Sequence, residues 1–382
     1  MPGTLIFAVP DFTPAVGGTT TQVTLLSREL VARGHHVRVV TRRRDRAWAS
    51  SEVVDAVRVD RIGPAGRGAA ADKAAALALA PWLARRRTGV RILQTLMWTD
   101  AVPAAAAARL LPRTIVGWGA LGDATDALRS GTSVLRRAQA RVRRRLLARC
   151  EHVVLTSAMH DELVALGLER CTVLPVPVDL QRFRPPSPSE RADARASLGV
   201  AEDDVAIAYL GHLRALKRAD VLVAAVATLA AESIPVRLVL AGGSRGADDD
   251  VADELRGQVR ALGLGDRVMF TGVVTDPRPV LWAADIFALA SEREGLPNSL
   301  LEAMACGLPC VAPASAAGGE LLGGGAGLIP PDTAALTEAL STLARDATLR
   351  EQVGRRAVER AAAYDVGRVA DGYERLYARV AS

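Results

Sequence analysis

Three observations predict an α/β fold of two doubly wound domains facing across a cleft. Short apolar runs alternate with longer stretches of helical periodicity along the 382 residues, the pattern of a parallel sheet covered by helices. The rhythm breaks once, at Pro185-Pro186-Ser187-Pro188-Ser189, where proline can continue neither a helix nor a ladder. The length suits two domains of ordinary size. The expected domains are therefore 1–184 and 185–365, followed by a terminal segment, 366–382.

In the first half, Leu5 to Val9 reads as a buried strand and Thr20 to Arg33 as a helix closed by Gly34. Strands follow at Val37 to Thr41, Ile92 to Leu96, Thr114 to Gly117 and Val153 to Thr156. The second half restarts with a strand at Val205 to Leu210, a helix at Lys217 to Ala231 and a strand at Val236 to Ala241. A helix at Asp250 to Leu262, a strand at Val268 to Thr271, a helix at Pro277 to Ala283 and a strand at Asp285 to Ala290 complete the pattern. In such sheets ligands sit beyond the carboxyl ends of the strands, so the loops after strands carry the chemistry.

Composition narrows the class. Hydrophobic residues make up 49% and aromatic residues 4%, so the cores are built mainly of Ala, Val and Leu, and the chain is globular. Cys150, Cys171, Cys306 and Cys310 form no Cys-x-x-Cys pair and lack a histidine at zinc-ligand spacing. Neither a signal-peptide pattern nor an apolar run long enough to span a membrane is present, and a reduced, cytoplasmic protein is expected. Residues 1–170 hold 26 Arg and Lys against 14 Asp and Glu, the remainder 22 against 28. The positive half suits phosphates, an anionic membrane surface or an acidic acceptor. A basic helix at Ser133 to Cys150 carries Arg136, Arg137, Arg141, Arg143, Arg144, Arg145 and Arg149. These wrap around the helix, as on a solvated face; contact with anionic lipid at the inner face of the membrane is the sharper reading. Nucleic acid is not expected, since no aromatics interleave the basic residues. Asp248-Asp249-Asp250 precede a predicted helix, where the dipole favours acids without a metal.

Four post-strand segments stand out. Gly17-Gly18 lie between a strand and a helix, where the backbone can approach an anion closely, although a plain turn has the same sequence. Gly211-His212-Leu213-Arg214-Ala215-Leu216-Lys217 follow a strand; a lysine there could neutralise a leaving diphosphate. The third runs from Ser291 to Pro313. Glu294 lies in its loop, Pro297 and Asn298 suit a helix entry, and Gly307 ends the helix. Backbone amides at Asn298, Ser299 and Leu300 could bind diphosphate, and Glu302, one turn on, could accept bonds from vicinal hydroxyls. A capped helix with one exposed glutamate fits the same residues. Gly318-Gly319-Glu320 form a fourth, glycine-rich turn.

Together these segments resemble the retaining glycosyltransferases of the GT-B fold, in particular glycosyltransferase family 4, over almost the whole chain. The most specific part is Glu294-Gly295 through Glu302-Ala303-Met304-Ala305-Cys306-Gly307-Leu308-Pro309, similar to that family's Glu-x7-Glu motif. Gly17-Gly18, Arg33-Gly34-His35-His36-Val37, Val178-Asp179 through Pro185, Gly211 with Lys217, and Thr271-Gly272 add to it. The resemblance implies two Rossmann-like domains and a last helix, about Val366 to Ala381, crossing back to the first. It implies a nucleoside diphosphate sugar as co-substrate, UDP-linked in preference to GDP-linked, with no cofactor or metal required. The acceptor is a hydroxyl of a lipid-linked or small-molecule core. By the same resemblance Lys217 and Glu294 are catalytic. Gly17, Gly18, Gly211, His212, Arg214, Val273, Asn298, Ser299, Leu300 and Glu302 join them in holding the donor, Glu302 at the ribose and Val273 near the base. Two departures bear on this. His212 replaces an arginine usual after the glycine, and Gly117-Trp118-Gly119 to Asp123 lack the family's first-domain histidine, leaving Trp118 and Asp123 as acceptor candidates. Alternatives are a nucleotide-sugar epimerase or hydrolase, a glycoside hydrolase using Glu294 and Glu302, and a non-catalytic sugar-nucleotide-binding or membrane-docking protein.

Overall fold

The computed structural model describes residues 3–15, 17–86, 89–96, 113–119, 128, 134–243, 251–291, 294–313, 316–332 and 334–381. The chain divides into two compact units, Met1–Pro177 with Val366–Ser382, and Val178–Asp365.

The first unit runs β1 (Thr4–Val9), α1 (Gly18–Ala32), β2 (His36–Arg42), β3 (Ser51–Val54), β4 (Val57–Ile62), α2 (Ala69–Ala84), β5 (Val90–Leu96), β6 (Arg113–Gly117), α3 (Val134–Leu147), β7 (Glu151–Val154), α4 (Ser157–Ala165) and β8 (Cys171–Val173). Its sheet has the order β3-β4-β2-β1-β5-β6-β7-β8. Pairing is parallel except at the β3–β4 hairpin, which the periodicity misses. Its turn residues, Asp55 and Ala56, both take positive φ, as a tight two-residue hairpin requires.

The second unit runs α5 (Pro188–Ser197), β9 (Val205–Leu210), α6 (Ala219–Ala231), β10 (Val236–Ala241), α7 (Ala252–Ala261), β11 (Val268–Gly272), α8 (Arg278–Ala283) and β12 (Ile286–Ala288). It continues with α9 (Asn298–Ala305), β13 (Cys310–Val311), α10 (Ala316–Leu322), β14 (Gly327–Leu328), α11 (Ala334–Arg345) and α12 (Ala347–Ala361). The six strands lie in the order β11-β10-β9-β12-β13-β14, all parallel. Strand order reverses between β9 and β12, which opens a crevice at their carboxyl ends.

The break between the units falls at Pro177 and Val178 rather than at 184 and 185. Residues 178–184 are bonded into the second unit. The Val178 amide donates to the Tyr364 carbonyl (2.9 Å), Phe183 is buried, and the Trp282 indole donates to the Arg184 carbonyl (3.1 Å). The proline-rich stretch, expected as the boundary, leads into α5 inside the second unit. Ser187 and Glu190 form a capping box with Pro188 in the first turn.

The last helix, α13 (Val366–Ala381), belongs to the first unit. Val369, Ala370, Tyr373, Leu376 and Tyr377 share a core with Phe7, Val23, Leu26 and Leu30. Arg33-Gly34-His35 explain how it is held. Gly34 takes φ +85° and turns the chain at the end of α1, so that Arg33 and His35 both reach α13. Arg33 donates to Asp371 (2.5 Å) and Glu374 (2.8 Å), and His35 Nε2 lies 2.6 Å from Glu374. The His35 bond, with help from Arg33, holds the Glu374 carboxyl below its ordinary range. Its contribution is therefore present above the unfolded value of about 4.5 and is lost as pH falls through the lower folded value. Glu374→Gln should cost about 1 kcal/mol at neutral pH after allowance for solvent screening. In denaturant titrations the gap from wild type should close as pH falls below the carboxylate range; a gap independent of pH would contradict the latch.

Candidate functional site

The carboxyl end of the second sheet is a rim of bare backbone. The Gly211 amide donates to the Ala241 carbonyl (3.0 Å) and the Gly242 amide to the Gly272 carbonyl (2.8 Å). Gly242 has φ +145°, and a Cβ there would stand 1.8 Å from the Gly211 carbonyl oxygen, so only glycine fits. Tyr209, fully buried in β9, folds beneath this rim and donates its hydroxyl to the His212 carbonyl (2.8 Å). Burial, reinforced by the nearby Glu294 charge, raises its phenol, so it stays a neutral donor. The exposed His212 ring bonds through Nδ1 to the Gly243 carbonyl (2.9 Å). That acceptor assigns the proton to Nδ1, and the side chain braces two loops. Val273, next along the rim, is 46% exposed.

Lys217 does not start a helix. Ala215–Lys217 form a single 3-10 turn, Arg218 adopts a left-handed conformation (φ 50°, ψ 40°), and α6 begins at Ala219. A lysine in the first turn of a helix would oppose its dipole, and the break at Arg218 removes that conflict. Arg214, exposed, precedes the turn and accepts the Lys217 amide through its carbonyl (2.9 Å). The Lys217 ammonium pairs directly with the Glu294 carboxylate, their side chains only 24% and 14% exposed. One group follows β9 and the other β12, so the pair sits where strand order reverses. In the same loop as Glu294, Ser291 is buried with its hydroxyl unpartnered among the described residues.

Helix α9 opens with Pro297 at its N-cap and no side-chain cap. Of the three amides expected to meet phosphate, that of Leu300 donates to the Pro297 carbonyl (3.2 Å) and its side chain is fully buried. Asn298 and Ser299 are half-buried. Glu302 keeps some contact with solvent but is otherwise enclosed by protein, and that burial pushes its carboxyl up to about 7. Arg182 opposes the shift and Asp276 adds to it. These two are paired with each other (3.2 Å), and Asp276 also binds Arg278 (2.6 Å), which brings the Asp276 carboxyl down to about 2. Sequence reasoning missed Tyr209, Gly242, Gly243, Arg182 and Asp276. Gly242-Gly243 after an apolar run was the one readable signal.

Gly17 and Gly18 belong to the first unit, where Gly18 opens α1. Trp118 follows β6 and is 3% exposed; its indole N–H donates to His152 Nδ1 (3.1 Å), whose Nε2–H donates to the Leu147 carbonyl (3.0 Å). Burial brings His152 down to about 4, so the ring is neutral. Asp123 and Asp248-Asp249-Asp250 lie outside the described residues. Gly318-Gly319-Glu320 are not a turn but part of α10, where a Cβ on Gly318 would meet the Pro313 carbonyl oxygen at 2.4 Å. Among the described residues, no helix is long and apolar enough to cross a membrane.

Residues 204–346 match the family model for glycosyl transferases group 1, and residues 16–182 that for glycosyltransferase family 4. The D-inositol 3-phosphate glycosyltransferase of Actinosynnema mirum is 34% identical over 229 residues, 56% of this chain and 53% of the relative. Its counterpart in Nocardia farcinica is 31% identical over 251 residues, 61% and 54% of the two chains. The match thus spans about half the length of these curated relatives. Sucrose-phosphate synthase from Thermosynechococcus elongatus is similar in structure, with a TM-score of 0.82 at 22% identity over 99% of both chains. Anabaena Alr3699/HepE, solved with UDP and glucose, gives 0.75 at 21% identity over 99% and 100%. At these identities the structural likeness is one of fold. With a family model on each half and the fold shared end to end, the chain belongs to the group 1, family 4 glycosyltransferases of the GT-B fold.

Proposed function

We propose that this protein transfers a sugar from a nucleoside diphosphate sugar to a hydroxyl acceptor, with retention at the anomeric carbon. The observation that carries the reading is the Lys217–Glu294 pair at the reversal of strand order. In the donor complex the pair opens. Lys217 turns its charge to the diphosphate, and Glu294 accepts bonds from hydroxyls of the transferred sugar. The start of α9, with Pro297 at its N-cap, adds the positive end of a helix dipole near Asn298 and Ser299. Glu302, once ionised, accepts the ribose hydroxyls, and the bare rim from Gly242 to Val273 admits the base. UDP is favoured over GDP, supported by the complexes of HepE with UDP and with UDP-glucose.

Leaving-group departure and acceptor attack on the same face of the sugar give retention without a protein nucleophile. The departing phosphate oxygen takes the acceptor's proton, and Lys217 stabilises the charge that develops there. The names of the curated relatives make D-inositol 3-phosphate the first acceptor to try. The exposed arginines of α3, such as Arg141 and Arg145, favour peripheral contact with anionic lipid if the acceptor is lipid-linked.

A thermal-shift screen of UDP-, GDP- and ADP-sugars, followed by hydrolysis and transfer assays, identifies the donor. Lys217→Ala should then lower kcat about 100-fold or more with little change in KM; near-normal turnover with every donor would sink the assignment. Glu302 gives a second test. A carboxyl raised in the folded state contributes stability that is full below its unfolded value of 4.5 and is lost as pH rises through about 7. Glu302→Gln should therefore be more stable than wild type at pH about 8, by on the order of 1–3 kcal/mol. Donor affinity should rise between pH about 6 and about 8 in wild type and stay flat and weaker in the variant. A variant less stable than wild type at the higher pH would contradict the burial cost.

A further inference from the structure

Glu302 is a carboxyl that the fold encloses without answering. Burial pushes it up to about 7, and no described residue donates a hydrogen bond to it. Three ionisable groups are coupled to it. Cys306, one turn further along, is a neutral thiol, since burial and the glutamate together push it up to about 12. Asp276, between β11 and α8, works against ionisation of Glu302, and Arg182 is the opposing cation. A carboxylate that accepts ribose hydroxyls must be charged, and an enclosed charge needs a counter-ion.

Arg182 is built to supply one. Its backbone is fixed, because the Asp179 carboxylate accepts the amides of Gln181 and Arg182 (both 3.0 Å) and Phe183 beside it is buried. Its side chain is 44% exposed and rests over the Phe183 ring (5.3 Å). Its one side-chain hydrogen bond among the described residues runs from Nη2 to Asp276 (3.2 Å), so Nε and Nη1 are uncommitted there. Asp276 does not depend on that bond. Arg278 donates to it from the main-chain amide (3.1 Å), from Nε to both oxygens (3.0 and 2.9 Å) and from Nη2 (2.6 Å). Arg278 is also the chief reason that the Asp276 carboxyl falls to about 2. If Arg182 leaves, Asp276 stays paired and stays charged. An exposed ion pair holds weakly, whereas a cation beside an enclosed carboxylate acts strongly on it.

We propose that Arg182 is a positioning residue for the donor: as the nucleotide enters, Arg182 exchanges Asp276 for Glu302 and holds that carboxylate toward the ribose hydroxyls. The proton of Glu302 leaves to solvent, and Asp276 keeps Arg278. The proposal rests on the transferase reading above, in which Glu302 receives the ribose.

The test uses the full chain, first without ligand. The Glu302 carboxyl is followed by carbon-13 NMR of glutamate-labelled protein from pH about 5 to about 9 and assigned by its loss in Glu302→Gln. Arg182→Gln should move the titration up and Asp276→Asn should move it down, each by about half a pH unit or more. Arg182→Lys, which keeps the charge, should stay near wild type. Calorimetric titration with UDP and with GDP comes second. The rise of affinity with pH should move up in Arg182→Gln and down in Asp276→Asn, and wild type should release a proton on binding at pH about 7. A purely structural pair would weaken binding equally at every pH in both variants. Titrations that move the same way in both variants or in neither, or Arg182→Lys behaving as Arg182→Gln, would each overturn the proposal. Failure of wild type to bind any nucleotide sugar would overturn the transferase reading instead, and the ligand-free titrations would still report the coupling of Arg182 to Glu302.

Discussion

The ion pair between Lys217 and Glu294 is the constraint on which the second unit's working edge depends. Two opposite charges stand mostly shielded from water at the end of a parallel sheet, where either one alone would pay a desolvation cost. They meet because the chain leaves β9 toward one edge of the sheet and returns to β12 on the other side. The pair thereby closes the reversal point with charge, and a ligand entering there must exchange one partner for another. A diphosphate can satisfy Lys217 and sugar hydroxyls can satisfy Glu294, so one bound donor replaces both halves of the interaction.

Around that pair the fold accumulates local costs. Arg218 adopts a left-handed backbone conformation immediately after Lys217, of the kind that costs a non-glycine residue about 1–2 kcal/mol. Ser291 buries an unpartnered hydroxyl, and Glu302 is raised to about 7. No such group helps the unit fold. Their concentration at one edge is the expected signature of a site in which stability has been exchanged for recognition.

Much of the architecture was legible because it is written in local periodicity. The run Val205 to Leu210 is apolar throughout, as a strand buried on both faces must be, and the Glu294 to Glu302 spacing marks a loop entering a helix. What escaped reading depends on contacts between distant residues or on conformations without a residue signature. Lys217 and Glu294 are 77 positions apart, and their pairing follows only from strand order. Arg182 reaches Asp276 across 94 positions. Arg218 is left-handed without being glycine, which is why the start of α6 was placed too early. Pro185 to Ser189 reads as the domain boundary because proline interrupts regular structure, yet proline also opens helices, as Pro188 does here. Tyr209 was hidden by its apolar strand, although its hydroxyl supports the loop that carries Lys217.

The most direct measurement is calorimetric titration of wild type and Glu294→Gln with the preferred nucleoside diphosphate and with its sugar-bearing form. If Glu294 restrains Lys217 in the free protein and binds the sugar in the complex, the substitution should tighten the bare diphosphate. It should also erase the extra affinity that the sugar confers. Equal shifts for the two ligands, or no shift for either, would contradict the exchange of partners at the centre of this site.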